Sequence, residues 1–159
     1  MLLWALNELV NIQGRVHFKL LLKGLGSLYR SKEFLNNMLL MLVTQGRITL
    51  GHVDNLMVNN VFFLDDTLSF THMNALYNAA DAYVSPYLAE GFNLPVLEAI
   101  ATGMAVFVSS TGCTSWFVDA IMHRVPGSQN HIFKLDTTFE LTIWDRGEGN
   151  AANMEVCQY

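Results

Sequence analysis

The sequence predicts an α/β fold in which a parallel sheet is covered by helices on both faces. Short runs rich in β-branched and aromatic residues alternate with longer segments whose apolar residues have helical spacing. The β-rich runs are nearly continuous in apolar residues, which is typical of strands buried on both faces. The resulting order, β-α-β-α-β-α-β, favours right-handed crossovers between parallel strands.

The first half of the chain supplies two strands and the helices around them. Met1–Gln13 has helical spacing and precedes a strand within the run VHFKLLLKG, which starts at Val16. Ser31 is predicted to cap the helix SKEFLNNMLLMLVTQG, which closes at Gly46. The run VFFLD then forms the second strand.

The second half repeats this alternation. Ser69 is predicted to cap the helix FTHMNALYNAA, and AYVSP, LPVLEAIATG and AVFVSS follow as strand, helix and strand. Pro95 suits the first turn of its helix because proline has no N–H to satisfy there. Periodicity is lost after Leu135, so we predict one domain over residues 1–136 and an irregular segment over residues 137–159.

Composition excludes several function classes. Nine Lys and Arg against 14 Asp and Glu give a net charge of −5 without a basic cluster, so a nucleic-acid partner is not expected. Cys113 and Cys157 lack C-x-x-C spacing, which predicts a reducing, cytoplasmic setting. The histidines have no metal-binding spacing, and no run approaches the ~20 apolar residues of a spanning helix.

The stretch AEGFNLPVLEAIATG holds the strongest candidate site. Glu90 falls in the loop after the third strand and Glu98 one turn into the next helix, at the sheet edge where ligands bind in such folds. Gly91 and Asn93 allow close backbone approach, and the free amides of the first helical turn attract phosphate. Two carboxylates at this spacing suit an extended ligand. The alternative is that both only complement the helix macrodipole.

ADAYVSPYLAEGFNLPVLEAIATGMAVFVSSTG resembles the donor-binding domain of retaining GT-B glycosyltransferases of the family 4 type. Glu90 and Glu98 match the E-x7-E motif of that family, with EGF.LP.LEA around it. Similarity extends over residues 16–119 and includes LLLKGLGSLYRS. The resemblance implies a Rossmann-like domain, here a partial GT-B C-terminal domain.

The resemblance also implies roles for individual residues. Glu90 is expected to act catalytically at the donor sugar, and Glu98 to hold the ribose hydroxyls. Lys23 would neutralise diphosphate and Leu68 would present its backbone to the base; a solvated lysine and an ordinary loop leucine are the alternatives. Four backbone amides would meet sugar and phosphate: Gly91, Phe92, Asn93 and Leu94. The expected partner is a nucleotide-diphosphate sugar, with no further cofactor and no metal.

The sequence departs from this family in two respects. GT-B enzymes have two facing domains, but the resemblance covers only the donor-binding one and lacks its first strand, which predicts truncation at the N-terminus. The preferred function is transfer of a sugar, with retention, to an unknown acceptor. The alternative is a non-catalytic fragment or regulatory subunit that binds a partner chain, either an acceptor-binding domain or a second copy. Enzymatic activity of the chain alone is left open.

Overall fold

The computed structural model describes residues 2–15, 17–87, 91–112 and 114–136. Contacts divide the chain into two compact units, Met1–Ser69 (the first unit) and Phe70–Tyr159 (the second unit). Both contain parallel strands and helices, so the predicted α/β class is confirmed. Within the described ranges, no helix has the length and apolar character needed to cross a membrane.

The first unit pairs two parallel strands. Its elements are α1 (Leu2–Asn7), a π-helical turn (Glu8–Ile12), β1 (Leu20–Lys23), α2 (Gly26–Tyr29), α3 (Ser31–Thr44), α4 (Leu50–Asn59) and β2 (Val61–Leu64). The register aligns Leu20 with Val61 and Lys23 with Leu64. Two clusters of buried side chains form its core: Leu6, Val10, Leu56 and Val61 in one, and Leu35, Leu39, Leu42 and Ile48 in the other.

The second unit contains a three-stranded parallel sheet in the order β3-β4-β5. Its elements are α5 (Phe70–Asn78), β3 (Ala82–Ser85), α6 (Leu94–Ala101), β4 (Ala105–Ser109), α7 (Ser115–Arg124), a 3₁₀ turn (Ser128–Asn130) and β5 (Ile132–Leu135). Its core joins α6, β4, α7 and β5 through Val96, Ala99, Val106, Val108, Val118 and Ile132. This core holds α6 against the sheet.

Several elements differ from the sequence-based expectations. Strand β1 begins at Leu20, and the Phe18 carbonyl before it accepts a hydrogen bond from the Asn60 side chain at 2.8 Å instead of a strand partner. Three helices, α2, α4 and α7, and strand β5 were not predicted. The strand hydrogen bonds of the described residues also form two sheets, one in each unit. Residues 137–159, predicted to be irregular, lie outside the described residues.

The predicted cap of α3 is wrong. Ser31 is the first helical residue rather than the cap, and the residue before it, Arg30, has a left-handed backbone conformation with φ of 49°. The Ser31 hydroxyl instead accepts a hydrogen bond from the Leu25 amide at 3.1 Å. This side chain therefore ties the start of α3 to the loop that follows β1.

Candidate functional site

The loop between β3 and α6 is held by a buried side-chain hydrogen bond. Ser85 is the last residue of β3, and its Oγ accepts a hydrogen bond of 2.8 Å from Asn93 Nδ2. Both side chains are buried. Asn93 has φ of 57° and ψ of 56°, a left-handed conformation that asparagine tolerates better than most residues. The bond and the backbone turn together set the direction in which α6 leaves the sheet.

Three of the four residues at the start of α6 are exposed. These are Gly91, Phe92 and Leu94, and a Cβ added at Gly91 would meet no atom of the described residues within 4 Å. Pro95 lies in the first turn, where it costs no hydrogen bond. The amide groups before and at the first turn lie at the positive end of the helix dipole. This edge of the second unit can therefore accept an anion.

Glu98 lies one turn into α6 and has an exposed side chain, whereas its neighbours Val96 and Ala99 face the core. The hydroxyl of Tyr77, on α5, donates to Glu98 Oε2 at 2.8 Å. Tyr77 is only 8% exposed. Burial raises the pKa of Tyr77, and the hydrogen bond to Glu98 and its negative charge raise it further. Tyr77 is thus a neutral donor, and Glu98 keeps oxygen lone pairs available to a ligand.

Three aromatic rings lie beside the same loop. Phe92 lies 6.0 Å from Trp116 and 5.3 Å from Phe117, measured between ring centroids. Trp116 belongs to the first turn of α7 and is 62% exposed, while Phe117 is buried in the core. These contacts anchor the Phe92 side chain at the start of α7.

The first unit carries the other two predicted site residues. Lys23 ends β1, and its Nζ donates to the Gly24 carbonyl, so its charge stays close to the carboxyl end of the strand. Leu68 is half-buried in the segment between β2 and α5. The roles of Lys23 and Leu68 stay predictions.

Sequence reasoning missed a pocket of about 370 Å³ in the first unit. Asp65, directly after β2, lines it together with Arg30, Lys32, Glu33 and Asn36 at the start of α3. Arg30 also forms an exposed ion pair with Glu33 at 2.8 Å. Their adjacency to Asp65 depends on the fold because the charged residues and Asp65 are far apart in sequence. The pairing of β1 with β2 brings the start of α3 beside the end of β2.

Five predicted residues lie together in the second unit: Gly91, Phe92, Asn93, Leu94 and Glu98. Glu90 lies outside the described residues. Tyr77 was also missed, because its contact with Glu98 links residues 21 positions apart on two helices. The apolar pocket of about 560 Å³ near Gly103 and His131 is at the other end of α6 and does not belong to this site.

Comparison with known proteins identifies the family. The family model described as "Glycosyl transferases group 1" matches residues 3–129, which is most of the chain. No curated protein and no solved structure matches. The match covers β1 to α7, and with them the loop between β3 and α6 and the Tyr77–Glu98 contact. The chain therefore belongs to the group 1 glycosyl transferases.

Proposed function

We propose that this chain is the donor-binding domain of a retaining GT-B glycosyltransferase of the family 4 type. It would bind a nucleotide-sugar and contribute to transfer of the sugar to an acceptor. Family membership supports glycosyl transfer in general. The observation that carries the finer proposal is that Glu98 and three residues at the start of α6, Gly91, Phe92 and Leu94, are exposed within one unit. Together they offer acceptors for hydroxyls and donors for phosphate within one unit.

The diphosphate of the donor is assigned to the start of α6. Gly91, Phe92, Asn93 and Leu94 carry amides around the start of α6, and the helix dipole adds partial positive charge there. The left-handed Asn93 fixes these amides before a ligand arrives, which reduces the entropic cost of binding. Lys23 is proposed to add a full positive charge, acting as a point charge on the phosphates.

The ribose is assigned to Glu98. A carboxylate accepts hydrogen bonds from two neighbouring hydroxyls, and bonds to a charged acceptor are stronger than neutral ones. Exposure of Glu98 leaves its carboxylate open to such a ligand. Its place four residues after Leu94 separates it from the phosphate amides by roughly one helical turn of 5.4 Å.

The remaining two assignments rest on the sequence motif. Glu90, the first glutamate of E-x7-E, is proposed to act at the donor sugar as positive charge develops at the anomeric carbon. Leu68 is proposed to present its backbone to the base. Transfer would proceed with retention of configuration and without a metal ion.

Isothermal titration with UDP-, GDP- and ADP-sugars tests the proposal. We expect one nucleotide class to bind, and the matching sugar-free nucleoside diphosphate to bind as well, because most of the assigned contacts are to the nucleotide. Glu98→Gln is the site variant, and Glu8→Gln, on the π-helical turn of the first unit, is the matched control. Absence of binding by all three classes at millimolar concentration would overturn the proposal.

A further inference from the structure

We infer that Tyr77 is a positioning residue that orients the Glu98 carboxylate for ribose recognition. The inference rests on the proposed function and extends it to a residue outside the E-x7-E motif. Tyr77 lies on α5 and Glu98 on α6, and their side chains meet at an Oη to Oε2 distance of 2.8 Å. This hydrogen bond joins a buried donor to an exposed acceptor.

The Tyr77 ring is fixed by its surroundings. It belongs to the core cluster that contains Val96 and Ala99 of α6, and it packs edge-on against Tyr83 of β3 with 6.1 Å between ring centroids. A buried ring held on two sides cannot follow a mobile carboxylate. Glu98 must therefore adopt the rotamers that reach the hydroxyl.

This restraint on the Glu98 side chain lowers the entropic cost of ligand binding. A free glutamate side chain loses rotamer entropy when it is immobilised. In this chain the hydrogen bond to Tyr77 removes part of that freedom before a ligand is present. It engages one oxygen, so the lone pairs that remain have a defined direction. Two adjacent ribose hydroxyls can donate to these oriented lone pairs, whereas a ligand without such hydroxyls gains no affinity from the orientation.

The buried phenol is also a suitable partner chemically. Burial and the negative charge of Glu98 raise the pKa of Tyr77, so it remains a donor at every physiological pH. The phenol donates, and the Glu98 carboxylate accepts. The pair thus stays in one hydrogen-bonded arrangement.

The test compares ribose recognition in four proteins: the unaltered chain, Tyr77→Phe, Glu98→Gln and the double variant. Titration uses UDP, GDP and ADP, each beside its 2′,3′-dideoxy counterpart. Tyr77→Phe keeps the ring in the core and removes only the hydroxyl. We expect the unaltered chain to prefer the ribonucleotide, Tyr77→Phe to weaken ribonucleotide binding by about tenfold, and the dideoxy ligand to be almost unaffected.

The double variant separates positioning from a purely structural role. If Tyr77 acts through the Glu98 carboxylate, Tyr77→Phe costs less ribonucleotide affinity when Glu98→Gln is already present than it does alone. A structural role would lower thermal stability and weaken the ribo and dideoxy ligands by the same factor. Retention of the full ribose preference by Tyr77→Phe would overturn the inference, and so would multiplicative effects in the double variant.

Two outcomes distinguish this inference from the proposed function. Loss of ribose preference in Glu98→Gln but not in Tyr77→Phe overturns only the positioning role. Failure of the unaltered chain to bind any of the three nucleotides overturns both. If Tyr77→Phe does not fold, Glu98→Asp serves instead, because it keeps the charge at an exposed position while drawing the carboxylate away from the hydroxyl. Unchanged ribose preference in that variant would contradict the inference.

Discussion

Glu98 and its neighbours on α6 lie in different environments. Val96 and Ala99 of α6 are buried in the core, whereas Glu98 between them faces solvent and bonds the Tyr77 hydroxyl. The helical period of 3.6 residues produces this separation. A carboxylate in such a position can serve a ligand without weakening the packing of the helix on the sheet.

Replacement of Glu98 by glutamine tests its direct role. Glu98→Gln keeps the shape of the side chain but removes the charge, so we expect nucleoside diphosphate affinity to fall by about 1.5–3 kcal/mol, as for hydrogen bonds to charged groups. Isothermal titration measures the loss, with Glu8→Gln as the control that should bind like the unaltered chain. Equal affinity of Glu98→Gln and the control would reduce Glu98 to a surface carboxylate.

Glu90 is predicted to act on a different part of the ligand. Glu90→Ala should leave affinity for the nucleoside diphosphate nearly unchanged and remove the additional affinity for the sugar-bearing donor, because only the donor presents a sugar to this residue. Titration with both ligands gives the comparison. Equal losses for the two ligands would refute the separate roles. A helix-dipole role would instead lower stability by about 0.3–1 kcal/mol without ligand selectivity.

At the scale of elements, the start of α6 depends on Asn93. This residue combines a left-handed backbone with a buried hydrogen bond to the last residue of β3, Ser85. Glycine could also adopt the left-handed backbone, but the hydrogen bond to Ser85 requires a side-chain donor. The loop is therefore fixed by a residue that satisfies both conditions, before any ligand binds.

The stability of this junction can be measured by two substitutions. Asn93→Ala should lower the free energy of unfolding by about 2–4 kcal/mol, because Ser85 loses its buried partner and alanine is strained in the left-handed region. Asn93→Gly loses the hydrogen bond but not the backbone freedom, so it should be about 1 kcal/mol more stable than Asn93→Ala. Urea unfolding measures both. An alanine variant as stable as the glycine variant would contradict the role of the left-handed conformation.

At the scale of the whole molecule, each unit has a core of its own, and in the second unit the site contacts extend into that core. Tyr77 belongs both to the buried cluster and to the hydrogen bond with Glu98. Global unfolding must therefore release a buried phenol. The stability of the protein is linked to the protonation of that group.

This linkage predicts the alkaline stability of the protein. The pKa of Tyr77 is raised above its ordinary value of 10.0, so the folded state holds the proton more tightly than the unfolded state. The stabilisation is complete below about pH 10 and falls as the pH rises from there towards the raised pKa. We expect the unaltered chain to lose about 1.4 kcal/mol per pH unit more than Tyr77→Phe in that interval. Urea unfolding at increasing pH tests this, and parallel stability curves would contradict it.

Local sequence pattern determined the strands and most of the helices that surround the site. Apolar runs marked β2, β3 and β4, and Gly46, with φ of 67°, follows the end of α3 as predicted. Helix α4 was harder to predict from the sequence. Gly51 lies within that helix, and its start depends on the Thr49 side chain, which accepts a hydrogen bond from the His52 amide at 3.2 Å. A single capping side chain is a weak helix signal, and it is easily masked by a glycine, which costs about 1 kcal/mol in a helix.

The sequence by itself determined the α/β class, the E-x7-E spacing and the placement of Glu98 one turn into a helix, because these depend on residue types and on the periods of strand and helix. Tertiary structure alone decided that the described strands pair in two sheets and that Tyr77 meets Glu98. Each of these depends on which distant groups can satisfy a buried polar atom or an unpaired strand. Such partners are selected by the packing of the folded chain, since a donor and its acceptor separated by tens of residues leave no local pattern.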